Sequence, residues 1–99
     1  MRVELIKFGN ILISRQAGKE AFAAFQSSLK SISPDETLEI DFSGVITFTP
    51  SWGDEFLTPL QNQFKDKMIL TNISSNPSVI ESLKIIEQIS HIPFKVAYN

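Results

Sequence analysis

The run Leu38-Glu39-Ile40-Asp41-Phe42-Ser43-Gly44-Val45, followed closely by Ser51-Trp52-Gly53-Asp54-Glu55 at the head of an apolar helical pattern, constrains the fold more than any other stretch. Leu38, Ile40 and Phe42 alternate with more polar neighbours as a strand does, Gly44 marks a tight turn, and Phe56, Leu57, Leu60 and Phe64 recur at helical spacing. A strand that feeds a helix through a short turn is half of a crossover unit. Such units build parallel sheets covered by helices. The same geometry gathers a strand-end carboxylate, a glycine turn and a helix N-terminus with free backbone N–H groups in one small volume, where α/β proteins commonly place ligand or partner contacts.

The remaining segments extend this pattern. Val3, Leu5, Ile6 and Phe8 alternate imperfectly with Glu4 and Lys7, and Gly9-Asn10 separates them from Ile11-Leu12-Ile13. This predicts a two-stranded hairpin turning at Gly9-Asn10. Phe22, Phe25, Leu29 and Ile32 predict a helix from about Ala17 to Ile32, ended by Ser33-Pro34 because the residue before proline is pushed out of the α region. Pro59 falls inside the second helical pattern and is expected to kink or shorten it. Met68-Ile69-Leu70 with Ile73 reads as a strand covered on both faces. Asn76-Pro77 reads as an N-cap with proline at the first helical position, before Val79, Leu83, Ile86 and Ile89 or Ser90. His91-Ile92-Pro93 closes that helix, and Phe94 to Tyr98 alternates as a last strand. The predicted order is ββαβαβαβ, an α/β domain over residues 1–99 with a mostly parallel sheet, an antiparallel edge from the first hairpin, and helices packed on it. Ile40 and Leu70 are expected on adjacent parallel strands, with Phe25, Phe42, Leu60, Ile69 and Leu83 in the core.

Composition narrows function by exclusion. The 99 residues are those of one domain, large enough to bury roughly 60–65% of the unfolded surface. A net charge of −2 with scattered Lys and Arg supplies no basic stripe for nucleic-acid phosphates. The absence of cysteine removes disulfides, thiolate metal sites and thiol catalysis, and fits a cytoplasmic protein. Met1-Arg2-Val3-Glu4-Leu5 does not begin a long apolar run, and no segment reaches the ~20 apolar residues of a membrane span. A soluble cytoplasmic protein with no membrane or nucleic-acid partner is expected.

The candidate site residues cluster around the strand–turn–helix. Asp41, Ser43 and Gly44 are turn-shaping: the carboxylate can accept from loop N–H groups, and Gly44 can supply a positive φ. Ser51 stands three residues before Asp54, as in a capping box, and the same helix N-terminus would also accommodate a phosphate on Ser51, with Asp54 and Glu55 opposing it. Trp52, beside Phe48 at the sheet rim and flanked by Asp54 and Glu55, is either packed or a partly exposed protein-binding anchor. His91, the one histidine, follows a helix end, where its positive form would complement the dipole. No residues with ligand spacing surround it, so no metal or cofactor is expected. Serine hydrolase chemistry lacks a nearby base and a G-x-S-x-G motif, and glycine-rich phosphate loops are absent.

From Leu38 to Glu55 the pattern resembles the STAS domain superfamily, whose anti-sigma-factor antagonists carry an apolar strand ending in Asp, a Ser-Gly-Val-like turn, and Asp-Ser-Ser-Gly at a helix start. Asp41, Ser43, Gly44 and Val45 match the first part, while Thr49, Pro50, Ser51 and Trp52 occupy the places of Asp-Ser-Ser-Gly. The chain is more similar still to a STAS-like family of unknown function, short bacterial proteins with Asp-Phe-x-x-Val followed by Ser-Phe-x-Asp-Glu. Asp41-Phe42-Ser43-Gly44-Val45 and Ser51-Trp52-Gly53-Asp54-Glu55 fit, with Trp52 in place of Phe. The resemblance implies a bacterial, cytoplasmic regulatory module acting through protein contacts, without catalysis of its own. Its implied partner is a regulatory protein, such as a histidine-kinase-type ATPase or an anti-sigma-factor-like kinase, bound through Phe48, Ser51, Trp52, Asp54 and Glu55. An alternative keeps the fold and makes Ser51 a phosphoacceptor for a partner kinase. A third reading, a small-ligand or enzyme domain using Asp41, Ser51 and Asp54, lacks a convergent base.

Overall fold

A computed structural model describes residues 1–33 and 35–97. Its elements run β1 (Arg2–Glu4), a 3-10 turn (Leu5–Phe8), β2 (Ile11–Leu12), α1 (Arg15–Leu29), β3 (Leu38–Asp41), β4 (Thr47–Phe48), α2 (Pro50–Phe64), a second 3-10 turn (Lys65–Lys67), β5 (Met68–Thr71), α3 (Pro77–Ser90) and β6 (Lys95–Ala97). β1, β3, β5 and β6 lie side by side in that order, every neighbour parallel, and Ile40 stands directly opposite Leu70. The fold is the α/β class expected from the alternation of strands and helices.

Each crossover advances one strand in the same direction, and right-handed connections then put all three helices on one face. That face receives Val3, Leu38, Ile40, Met68 and Leu70, all buried. The other face carries Arg2, Glu39, Ile69 and Lys95 in register across the four strands, and among the described residues no helix covers it. Of the five expected core residues, Phe25, Phe42, Leu60 and Leu83 are buried, whereas Ile69 is only half-buried because its register places it between Glu39 and Lys95 on this open face.

The expected hairpin does not form. Leu5 to Phe8 wind into a 3-10 turn, and β2 pairs in parallel with β4, so Gly9-Asn10 links two separate sheets instead of two antiparallel strands. Residues three apart eclipse in a 3-10 turn, which puts Leu5 and Phe8 on the same side. Leu5 is fully buried there, and Phe8 packs on Phe56 with ring centroids 5.2 Å apart. Burial of that pair outweighs the weak period-two signal of the segment.

Helix boundaries also move for identifiable reasons. Ser14 caps α1 by accepting from the Ala17 N–H at 3.0 Å, and the helix ends at Leu29 with Lys30 as C-cap, before Ser33; Pro34 lies outside the described residues. α2 continues through Pro59 to Phe64, its turns held by Leu57, Leu60 and Phe64 in the core. Asn76 caps α3 as expected, accepting from the Val79 N–H at 3.2 Å, and His91 closes it in the left-handed region with φ 60°. β6 is shorter than expected at its start, and Tyr98 lies outside the described residues.

Trp52 is the centre of the core. It stacks on Phe56 at 5.0 Å and meets Phe48 edge-on at 5.8 Å, while Phe42 meets Phe48 at 5.3 Å. Two glycines admit the close approach this needs. A Cβ on Gly18 would stand 2.7 Å from the Trp52 carbonyl oxygen, and one on Gly53 would stand 2.7 Å from both Ile86 and Phe48 side-chain carbons. α1 therefore packs against the backbone of α2 at Trp52, and α3 sets the Ile86 side chain against α2 at Gly53.

Candidate functional site

The carboxyl ends of β1, β3 and β5, together with the N-termini of α2 and α3, meet at one edge of the sheet, the edge at which open parallel sheets present their sites. Asp41 ties this edge together. It is 2% exposed, and its Oδ1 accepts from the Ser43 N–H at 2.9 Å and the Asn72 Nδ2 at 2.7 Å, while Arg2 Nη2 donates to Oδ2 at 2.5 Å. Burial alone would raise the carboxyl pKa, but the hydrogen bonds from Asn72, Arg2 and Ser43 outweigh it and hold the group well below the usual carboxylate range. The ionised form is locked in place. Gly44 takes φ 84° and Asn72 φ 59°, so the two loops that Asp41 joins both turn through conformations that L side chains seldom adopt.

Asn76 braces the next loop. Its Nδ2 donates to the Val45 carbonyl at 2.8 Å and the Ile46 carbonyl at 3.2 Å, and Ser78 Oγ accepts from the Phe48 N–H at 3.0 Å. Between the two loops lies a polar cleft of about 410 Å³ lined by Ser43, Gly44, Asn72, Ser74, Ser75 and Asn76.

At the head of α2 the structure corrects the capping assignment. Thr49, not Ser51, is the N-cap: its Oγ1 accepts from the Trp52 N–H at 3.4 Å and donates to the Ile13 carbonyl at 2.7 Å. Pro50 takes the first helical position and Ser51 the second, so no Ser51–Asp54 capping box forms. Proline at that first position was the missed signal. It is as strong as the Asn76-Pro77 pair that correctly marked α3. Among the described residues the half-buried Ser51 hydroxyl has no hydrogen-bond partner within the chain.

Trp52 and Phe48 are also corrected. They are 1% and 2% exposed, so neither presents a surface to a partner: the indole is enclosed by Phe8, Phe48 and Phe56, and the Phe48 ring closes against Gly53. Asp54 and Glu55 remain half-buried at the rim, where Arg15 Nη1 contacts Asp54 at 3.2 Å and Glu55 at 2.7 Å. Asp54 also accepts from the Thr58 hydroxyl at 2.9 Å. His91 lies at the other end of α3, a helix length of about 20 Å from this edge.

Beside this polar cleft the edge also exposes four aliphatic side chains. Ile6, Ile11, Ile13 and Ile46 are between 37% and 62% exposed. β2 pairs with β4 at Ile11–Thr47, Thr49 holds the Ile13 carbonyl, and the Ile6 side chain lies against Gly44, so these residues surround the Ser43-Gly44 turn and the start of α2. The sequence alone does not reveal them, since the short apolar run Ile11-Leu12-Ile13 reads as a hairpin strand and Ile46 belongs to no periodic pattern. Among the described residues no group of three His, Asp or Glu is placed to hold a metal ion, and no helix is long and apolar enough to cross a membrane. No protein-family model, curated protein or solved structure matches the chain.

Proposed function

We propose that this chain is a STAS-like regulatory interaction module that binds a regulatory protein through the surface around the start of α2. The observation that carries this reading is the patch of Ile6, Ile11, Ile13 and Ile46 beside Ser51, Asp54 and Glu55: aliphatic groups with a polar rim are the composition of a protein-binding surface. The resemblance of Asp41–Val45 and Ser51–Glu55 to STAS-like sequences supports a bacterial, cytoplasmic setting and a histidine-kinase-type ATPase or anti-sigma-factor-like kinase as the partner. A role without catalysis is supported by the site's chemistry, in which Asp41 and Asp54 are engaged by internal partners and His91 is remote from both.

A second reading makes Ser51 a phosphoacceptor that switches this contact. Thr49 takes the capping role and leaves the Ser51 hydroxyl without an internal partner, and Arg15 offsets the charge of Asp54 and Glu55 beside it. Affinity capture from the native cell, with mass spectrometry of the partner and of Ser51, tests both readings. The double variant Ile11→Ser, Ile46→Ser should melt within a few degrees of wild type and lose the captured partner. Retention of the same partner by the folded double variant would refute the patch. Under the switch, phosphate is found on Ser51 and Ser51→Asp loses the partner; an unmodified Ser51 with normal binding by Ser51→Asp removes it.

A further inference from the structure

The four-stranded sheet ends at β1 on an uncovered edge. In the ladder to β3, the Glu39 N–H donates to the Met1 carbonyl at 2.8 Å, and the register Arg2–Glu39, Val3–Ile40 turns the N–H and C=O of Val3 toward β3. The N–H and C=O of Arg2 and the N–H of Glu4 therefore point outward, as the backbone groups of an edge strand do. Beside them, between β1 and α1, runs a groove of about 240 Å³ lined by Met1, Val3, Phe8 and Phe25, with the small Ala24 and Ser28 on α1 leaving it open. Its ionisable side chains are Arg2 and Lys7, both cations. Among the described residues Lys7 forms no ion pair, and half of the Arg2 side chain remains exposed beyond its contacts with Asp41 and, at 3.9 Å, Glu39.

A free strand edge next to an apolar groove roofed by a helix is the arrangement that accepts an extended peptide as an additional strand, with backbone hydrogen bonds supplying affinity and alternate side chains supplying selectivity. We propose that the β1 edge receives an extended peptide segment carrying an acidic side chain between two aliphatic ones. The aliphatic side chains enter the groove on the side of Val3, Phe8 and Phe25. The intervening carboxylate falls on the open face beside Arg2, with Lys7 at the groove rim adding to the attraction. Glu4, two residues beyond Arg2, and Glu39, beside Arg2 on β3, lie on the same face; they disfavour a second acidic residue there and so limit the ligand to one central carboxylate. This surface is separate from the isoleucine patch, and the proposal does not depend on the patch's role.

The test is an NMR titration of the ¹⁵N-labelled full chain with acetyl-STVEVTS-amide, using acetyl-STVKVTS-amide as the charge-reversed control. The proposal expects saturable shifts at Arg2, Val3, Glu4, Ala24 and Ser28, slowed amide exchange at Arg2, and binding of the lysine peptide at least about fivefold weaker, a gap that narrows with added salt. Lys7→Glu should weaken the glutamate peptide by a similar factor, and Ala24→Arg, which fills the groove from an exposed helix position, should abolish binding, both without a change in melting temperature. Equal affinity for the two peptides, shifts confined to other surfaces, or no saturation at a few millimolar would overturn it. Concentration-dependent protection of the Arg2 amide without peptide would assign the edge to a second copy of the chain and overturn it equally.

Discussion

Trp52 illustrates how little a residue's chain position says about its exposure. At the first turn of a helix near the sheet rim it reads as an anchor for a partner, yet its ring is packed by Phe8, Phe48 and Phe56 and its backbone lies against Gly18. Trp52→Ala is expected to lower stability by about 3–5 kcal/mol, measured by denaturant unfolding, with any loss of binding following the loss of folded protein. Gly18→Ala should also destabilise, because the added methyl meets backbone at the Trp52 carbonyl, which cannot withdraw without moving α2. Asp41 makes a pH-dependent contribution of definite sign. Its native pKa lies below the ordinary 3.8, so its stabilisation is complete above about pH 4 and is lost as pH falls toward and through the native value. Asp41→Asn should cost about 1–3 kcal/mol at neutral pH and flatten the acid limb of a stability curve recorded by chemical denaturation.

Among the elements, the start of α2 separates a cap from its neighbour. Thr49→Ala removes an acceptor for the Trp52 N–H and a donor to Ile13, and is expected to cost about 1–2 kcal/mol, whereas Ser51→Ala, at the second helical position, should change stability by less than about 0.5 kcal/mol. Paired thermal melts of the two variants decide the assignment. Asn76-Pro77 was legible because the cap and the proline at the first helical position coincide; Thr49-Pro50 has the same form, but a serine with an acidic residue three positions later competed for the role. The 3-10 turn at Leu5–Phe8 was not legible. A four-residue segment has too few apolar positions to distinguish spacing of three from spacing of two, and its choice is made by Phe56 and Trp52 far along the chain.

Across the whole molecule, one hydrophobic cluster runs from Val3 to Phe94 with Trp52 near its middle, so loss of helix and exposure of the indole should coincide. Circular dichroism and tryptophan fluorescence melts are expected to superimpose; separate midpoints would show that α3 and β6 unfold independently. The alternation of strand and helix patterns determined by itself that the chain forms a parallel sheet with right-handed crossovers, that Ile40 and Leu70 are neighbours, and that Asp41, Ser43 and Gly44 make a turn at the sheet's edge. These follow from local periodicity and turn chemistry, which a single sequence carries. The tertiary structure alone decided that all three helices share one face, leaving Ile69 on the open side, that β2 joins β4 instead of β1, that Trp52 and Phe48 are interior, and that Ile6, Ile11, Ile13 and Ile46 are exposed together around the start of α2. Each of these depends on which distant segment arrives against a residue, and burial is a property of that meeting, not of the residue's own neighbours in the chain.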